Sequence, residues 1–349
     1  MSDAPDLSPR EAAQRWLDKR AVSLAEHTLT DYWYRLKQFV DWCEEEEIET
    51  MRDLTAWDIN QWDAKRAGDD LAPVTLRNHQ QTVQDWLQWA SDVGLAEDGV
   101  GDAIEVPDIN RSDHVSEVRL APDRGEALLK AWRSSPNRAS KHHVVLEILW
   151  TVGCRMGGLR GLDVSDVDRS AGVLEFRHRP DADTPLKNGV EGERDVGIPD
   201  ATVEVLDEWI SVQRPQVRDD HGRAPLLPTT HGRVSLTTLR NWCYYATVPC
   251  RYQDCPHGEK QATCDWFAGR GASQCPSSRS PHQVRSGSIS WQRNRGLGVE
   301  AVARRVNASV AVIEQHYDHP TKREEFRERE SHLIDSLDLE ADEHHGETL

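Results

Sequence analysis

The chain has 349 residues, which is enough for about two domains of ordinary size. Its net charge is −18, but 13 Trp and a regular apolar spacing exclude a disordered acidic chain. The sequence contains no apolar run of about 18 residues and no secretory pattern at its start, so we predict a cytoplasmic protein without a membrane partner. Because arginine supplies 34 of the 42 basic residues, the composition is typical of a halophilic protein, with an ordinary acidic protein as the alternative.

Residues 1–103 follow a helical pattern without strand alternation. Ser8 and Thr55 each open a capping box, which predicts two helix starts. Apolar residues recur every three or four positions after Thr28 and after Pro73, which predicts two further helices. We therefore predict an N-terminal four-helix bundle.

Residues 104–120 lose this spacing and collect Gly, Asp and Pro, so they are predicted to link two domains. The second domain is predicted over residues 121–338. Within it, residues 144–150 are apolar on nearly every side, which predicts a helix buried in the domain centre. Residues 339–349 are polar and acidic and are predicted to form a loose tail.

Short segments of the second domain favour strands. Residues 173–176 are one candidate. Residues 184–187 and 194–198 flank the typical turn dipeptide Asn188-Gly189, so we expect them to pair as a hairpin with a slightly longer loop.

The most informative motif lies between Ser280 and Arg285. Ser280 and Pro281 are typical of a helix start, which places His282 and Arg285 on one face of the first turns. The free N–H groups and the positive pole at a helix start suit an anion such as phosphate. A His-x-x-Arg pattern also occurs by chance in many proteins, so the motif needs support from elsewhere in the chain.

Three further side chains supply that support. Arg155 directly follows the buried helix, so its guanidinium needs an anionic partner, either a carboxylate of the chain or a ligand phosphate. Lys187 lies beside the Asn-Gly turn. Its ammonium either reaches a neighbouring site or is simply solvated. Tyr317 ends a short helix that begins after Ser309. It is either a half-buried aromatic side chain that closes the helix or a reactive phenol.

In this order and spacing, Arg155, Lys187, His282-x-x-Arg285 and Tyr317 resemble the motif of the tyrosine recombinase (phage integrase) family. The resemblance covers most of the chain and is greatest to haloarchaeal integrases. It implies a mainly α protein whose N-terminal four-helix bundle is a SAM-like core-binding domain. The catalytic domain is then α+β, with a small antiparallel three-stranded sheet.

The resemblance also implies a role for each of these residues. Tyr317 is the nucleophile, which forms a 3′-phosphotyrosyl bond to DNA and releases a 5′-hydroxyl. Arg155 and Arg285 clamp the non-bridging phosphate oxygens, and Lys187 donates a proton to the leaving oxygen. His282 and the two arginines favour ionisation of the weakly acidic phenol. Since the new linkage keeps the energy of a phosphodiester, no catalytic cofactor is expected.

Two positions depart from the family pattern. Asn307 stands where the family usually has a histidine or tryptophan before the tyrosine helix. Its amide can donate a hydrogen bond to the phosphate but cannot transfer a proton. Gly158 stands where the family commonly has an acidic residue, so the sequence does not explain what supports Arg155.

Residues 250–275 contain four of the seven cysteines and lack helical or strand periodicity. A structural Zn²⁺ would hold such a loop, and its predicted ligands are Cys250, Cys255, Cys264 and Cys275, with His257 as a possible further ligand. Two disulfides are the alternative, which a cytoplasmic environment disfavours. The other cysteines are predicted to pack as small apolar groups: Cys43, Cys154 and Cys243.

Double-stranded DNA is the expected partner, contacted by both domains. Arg35, Lys37 and Arg77 of the N-terminal helices are candidate phosphate contacts, with solvated surface side chains as the alternative. We expect a homotetramer on DNA. The charged segment 322–337 then docks on a neighbouring protomer or packs on its own domain.

The predicted function is that of a site-specific DNA recombinase. A type IB topoisomerase shares the nucleophile chemistry, but the N-terminal bundle favours the recombinase. The third possibility is a zinc-containing DNA-binding regulator with a decayed active site, for which Asn307 is the best argument. The sequence does not specify the DNA target, the accessory factors, or whether the reaction integrates, excises or resolves dimers.

Overall fold

The computed structural model describes residues 5–24, 26–109, 118–267, 271–317 and 326. It divides into two compact units, Met1–His114 and Val115–Leu349. Part of the predicted linker, nearly all of the charged segment 322–337 and the whole tail 339–349 lie outside the described residues. Within those residues, no helix is both long and apolar enough to cross a membrane.

The first unit is a bundle of four helices over its described residues: α1 (Pro9–Arg20), α2 (Glu26–Glu45), α3 (Ala56–Ala67) and α4 (Pro73–Asp92). Ser8 and Thr55 cap α1 and α3 through the predicted capping boxes. Phe39 lies in the core, with its ring centroid 5.1 Å from that of Trp62 and 5.6 Å from that of Trp86. The predicted helical bundle is confirmed.

The second unit is mainly helical: α5 (Pro122–Ser134), α6 (Lys141–Val152), α7 (Met156–Gly161), α8 (Asp200–Glu208), α9 (Leu236–Thr247), α10 (Pro281–Asn294), α11 (Val299–Val306) and α12 (Val310–His316). As predicted, α6 is buried along most of its length, and it packs against α5, α9 and α10. Its buried carboxylate, Glu147, accepts hydrogen bonds from Arg133 and Thr202. These donors offset the free energy that burial of the charge would cost.

The strands of this unit are short: β1 (Val167–Asp168), β2 (Val173–Phe176), β3 (Arg194–Gly197), β4 (Pro228–Thr229) and β5 (Gly232–Arg233). β1, β2 and β3 form the expected antiparallel three-stranded sheet, and β4 pairs with β5. In the larger sheet, Leu174 lies opposite Val196 and Phe176 lies opposite Arg194.

The connection from β2 to β3 differs from the predicted hairpin. The pairing of residues 184–187 with 194–198 is wrong, because the partner of β3 is β2. Pro185 has no N–H for a strand ladder, and Thr184 exchanges two backbone hydrogen bonds with Arg179 instead. The connection is therefore a long loop, and it carries Lys187.

Gly287 in α10 provides a test of how closely this helix packs. A Cβ at Gly287 would lie 1.9 Å from the carbonyl oxygen of Leu120. Because this contact is to backbone, we expect Gly287→Ala to lower the free energy of unfolding in urea by about 1–3 kcal/mol. Gly157→Ala is the matched control, since a Cβ there meets nothing within 4 Å. An equal loss in both variants would contradict the tight packing.

Candidate active site

The two predicted active-site arginines lie at the ends of packed helices. Gly153 ends α6 in the left-handed conformation (φ 71°), and Arg155 follows as the N-cap residue of α7. Ser280 caps α10, as predicted, and completes a capping box with Gln283, which places His282 in the first turn and Arg285 just beyond. α6 packs against α10, and Arg285 contacts the carbonyl oxygen of Gly153, so these two ends meet.

Arg285 is almost completely buried, with 1% of its surface exposed. Its Nη1 donates hydrogen bonds to the carbonyl oxygens of Gly153 (2.8 Å) and Val306 (2.6 Å). Its Nε and Nη2 are also buried, and neither has a hydrogen-bond partner in the described part of the chain. Leaving these N–H groups without acceptors costs free energy, which an anion bound to them would recover.

Arg155 is half-buried, and its Nη1 donates a hydrogen bond to the carbonyl oxygen of Asn307. This contact supplies the support that Gly158 does not give. Burial lowers the pKa of Arg155, and the neighbouring charge of Arg285 lowers it further. A bound phosphate would relieve this repulsion between the two guanidiniums.

Tyr317 follows α12 and is 8% exposed. Its ring centroid lies 5.5 Å from Cζ of Arg285 and 5.6 Å from the ring centroid of His282. The phenol of Tyr317 also raises the pKa of Arg155, which opposes the effect of burial. Tyr317 therefore lies close enough to interact electrostatically with that guanidinium. The structure therefore brings together four of the predicted side chains: Arg155, His282, Arg285 and Tyr317.

Lys187 makes no direct contact with these four residues in the described structure. It is exposed on the β2–β3 connection, and within the described chain its ammonium has no hydrogen-bond or ion-pair partner. The next residue, Asn188, donates a hydrogen bond of 2.9 Å from its Nδ2 to Oδ1 of Asn307. Asn307 caps α11 in the left-handed conformation (φ 54°), which Asn tolerates better than most residues. Asn307 thus connects the lysine loop to the site.

Arg194 is a candidate that the sequence analysis missed. Its Cζ lies 4.1 Å from the ring centroid of Phe176, and its Nε donates to the carbonyl oxygen of Arg305 (2.8 Å). Burial, followed by the charges of Arg285 and Arg155, lowers the pKa of Arg194 to about 10. Only the correct pairing of β2 with β3 places this arginine opposite Phe176, so the wrong register concealed it.

The C-terminal end of α11 holds all three guanidiniums. Three consecutive backbone carbonyl oxygens each accept a hydrogen bond from one arginine side chain. The carbonyl of residue 305 accepts from Arg194, that of Val306 from Arg285, and that of Asn307 from Arg155. The last carbonyls of a helix carry the negative end of its macrodipole. They therefore offset the repulsion among three neighbouring cations.

The cysteine-rich segment shows a partial cluster of thiols. Cys250 donates a hydrogen bond to the thiol of Cys255, which also accepts from the backbone N–H groups of His257 and Glu259. Burial, followed by the effects of the other thiols of the segment, raises the pKa of Cys250 to about 11. The described residues contain no group of three or more His, Cys, Asp or Glu side chains arranged to hold a metal, so the zinc prediction is not confirmed.

The three cysteines outside this segment are all buried, as predicted for small apolar side chains: Cys43, Cys154 and Cys243. Burial raises the pKa of each thiol well above its ordinary value. These thiols are therefore protonated at neutral pH and serve packing.

The predicted DNA contacts of the first unit have different surroundings. Lys37 forms an ion pair with Asp41. Arg77 has a buried Nε without a hydrogen-bond partner among the described residues. Arg35 lies near His79, whose pKa is lowered to about 4 by burial and by the charges of Arg66 and Arg35. A neutral His79 thus lies among cations.

Comparisons with known proteins agree with this architecture. Residues 15–94 match the family model described as phage integrase, N-terminal SAM-like domain. The tyrosine recombinase XerC of Mycobacterium sp. (strain KMS) is 23% identical over 214 residues, which are 60% of this chain and 67% of that protein.

Solved structures also resemble the chain. The N-terminal domain of a phage integrase/site-specific recombinase from Haloarcula marismortui is 36% identical and covers 30% of this chain and 100% of that chain, with a TM-score of 0.29. The Tn1549 transposon integrase in complex with a circular intermediate DNA is 14% identical and covers 95% of this chain and 100% of that chain, with a TM-score of 0.65. The chain belongs to the tyrosine recombinase (phage integrase) family of site-specific recombinases.

Proposed function

We propose that this recombinase cleaves and rejoins DNA through Tyr317, whose phenol oxygen forms a 3′-phosphotyrosyl bond. The observation that carries this assignment is that Nε and Nη2 of Arg285, beside the ring of Tyr317, are buried and have no hydrogen-bond partner among the described residues. Arg155 supplies a second guanidinium, and His282 lies against the phenol ring. Cations around one potential nucleophile suit a single phosphodiester linkage.

The proposed cleavage exchanges one phosphodiester for another. The phenol oxygen of Tyr317 bonds to phosphorus while the bond from phosphorus to the 5′ oxygen breaks, so no ATP is consumed. Lys187 donates a proton to the leaving oxygen, and the phenol proton passes to His282 or to water. Arg155 and Arg285 offset the charge on the non-bridging oxygens. Attack by a new 5′-hydroxyl reverses these steps and rejoins the strand.

The proposed partner is double-stranded DNA, bound in the cytoplasm by a homotetramer. The Tn1549 integrase, which has a similar fold, is bound to DNA in its solved structure, and this supports a DNA partner here. In the first unit, we propose Arg35 and Arg77 as phosphate contacts. Lys37 is the weaker candidate, because a phosphate would have to displace Asp41.

We also propose that a structural Zn²⁺ is bound by the four thiols of the cysteine-rich segment: Cys250, Cys255, Cys264 and Cys275. Two backbone N–H groups already donate to Cys255, an arrangement that stabilises a thiolate. Cys250 contacts this thiol directly. Because four thiolates fill a tetrahedral shell, the ion would have a structural role and no open position for catalysis.

Tyr317→Phe is expected to abolish the covalent adduct with a nicked duplex, since phenylalanine has no nucleophilic oxygen. Denaturing gels detect the adduct, and gel shifts are expected to show unchanged DNA binding. Tyr244→Phe is the matched control and is expected to keep the adduct. An adduct with Tyr317→Phe would contradict the assignment. Wild-type protein that binds DNA but forms no adduct would favour the regulator.

DNA affinity is expected to fall as KCl rises, because each phosphate contact releases counterions. Arg35→Gln and Arg77→Gln are each expected to reduce the slope of log affinity against log KCl by about 1, and Lys37→Gln by less. We also propose that the protein is halophilic, so its free energy of unfolding is expected to rise over the same range of KCl, since salt screens the net charge of −18. A salt-independent affinity would contradict the contacts, and a falling stability would contradict the halophilic proposal.

Purified protein is expected to contain one zinc ion per chain by elemental analysis. Removal by a chelator is expected to lower the thermal unfolding midpoint, and added Zn²⁺ to restore it. Cys264→Ser is expected to lose the metal, whereas the control Cys43→Ala keeps it. The proposal would be contradicted if the metal-free protein kept its stability and its four thiols all reacted freely. Two disulfides among these cysteines would contradict it as well.

A further inference from the structure

We infer that Asn307 is a positioning residue that acts through Asn188 on the loop carrying Lys187, and that its amide does not serve the scissile phosphate directly. This inference rests on the proposed function, because it concerns proton donation by Lys187 to the leaving oxygen. It also replaces the expectation that the amide of Asn307 binds the phosphate.

Asn307 is suited to this role because its backbone is fixed. It ends α11, and its own carbonyl oxygen accepts a hydrogen bond from Arg155. The two preceding carbonyl oxygens are bound by Arg285 and Arg194. A helix end held by three guanidiniums is a rigid support for a side chain that must place another group.

The lysine loop meets this support at two points. Next to Lys187, Asn188 donates its hydrogen bond to Oδ1 of Asn307. Farther along the loop, a Cβ at Gly192 would lie 2.8 Å from Nδ2 of Asn307, so a glycine lets the amide approach the backbone. The carbonyl oxygen of Gly192 also accepts a hydrogen bond from Arg194. The amide of Asn307 therefore faces the loop with both of its polar atoms.

This arrangement limits where the ammonium of Lys187 can lie. An exposed lysine samples many rotamers, whereas proton donation requires its Nζ within hydrogen-bond reach of the leaving oxygen. The hydrogen bond between Asn188 and Asn307 restrains the loop next to Lys187, which narrows the range of positions that Nζ can occupy. Since Oδ1 accepts a hydrogen bond from Asn188 and Nδ2 approaches the backbone of Gly192, the amide of Asn307 is oriented towards the loop, and these contacts favour the positioning role.

The test compares two nicked duplexes, one with the ordinary scissile phosphate and one with sulfur in place of the bridging 5′ oxygen. A thiolate leaves without needing a proton, so the sulfur substrate removes a defect in proton donation but not a defect at the non-bridging oxygens. Asn307→Gly removes the amide while tolerating the positive φ, and Asn188→Ala removes its partner from an exposed position.

Asn307→Gly and Asn188→Ala are each expected to form the adduct about ten- to a hundredfold more slowly than the wild type with bridging oxygen, and at the wild-type rate with bridging sulfur. Lys187→Ala is expected to show the same pattern. The double variant that combines Asn307→Gly with Asn188→Ala is expected to be no slower than the slower of these two single variants, because both changes remove the same contact. Arg155→Ala is expected to stay slow on both substrates, and Asn137→Ala serves as the unaffected control.

The inference is overturned if Asn307→Gly remains slow on the sulfur substrate while Lys187→Ala is restored, since the amide then acts at the phosphate. It is equally overturned if either asparagine variant keeps the wild-type rate on the oxygen substrate. Absence of an adduct from wild-type protein on both substrates would instead be a failure of the proposed function. The two failures are therefore distinguishable.

Discussion

The architecture of the candidate active site depends on the hydrogen bonds between three arginine side chains and the C-terminal carbonyls of α11. Neighbouring guanidiniums repel one another, and the pKa values of Arg155 and Arg194 are lowered as a result of burial and this repulsion. The carbonyl dipoles offset the repulsion without using a carboxylate. A carboxylate would neutralise the cations and compete with a phosphate, whereas carbonyl oxygens leave the positive charge available. Arg285 shows the consequence, because two of its N–H groups have no protein partner among the described residues.

The helix that provides these carbonyls is itself held in place by the side chain of Arg305. This guanidinium donates to the carbonyl oxygens of Thr151 in α6 and Gly197 in β3, and to the side chain of Gln292 in α10. One residue of α11 therefore binds three other elements of the site. Since α6 is buried along most of its length, these contacts connect the short α11 to the buried centre of the unit.

Local signals in the sequence predicted much of this arrangement. The helix-start signal of Ser280 and Pro281 and the apolar run of α6 were sufficient to place His282, Arg285 and Arg155 at helix ends. Strand register was not predicted, because the Asn188-Gly189 dipeptide indicated a hairpin while Pro185 prevented one. Arg194 was missed for the same reason, since its contact with Phe176 depends on that register. The hydrogen bond between Asn188 and Asn307 joins distant parts of the chain, and a periodic pattern in the sequence cannot predict such a contact.

The metal prediction failed to gain support for a different reason. Cysteine spacing shows that thiols are near one another along the chain, but ligation requires a tetrahedral arrangement in space. In the described structure, Cys250 contacts Cys255, and no three of the potential ligands are arranged to hold a metal.

The position of the scissile phosphate tests the central claim most directly, and a crystal structure of Tyr317→Phe bound to a nicked duplex would provide it. We expect non-bridging oxygens about 3 Å from Nε and Nη2 of Arg285, a further contact from Arg155, and the ring at position 317 in line with the 5′ oxygen. A phosphate bound elsewhere, with those two N–H groups still without an anion, would contradict it.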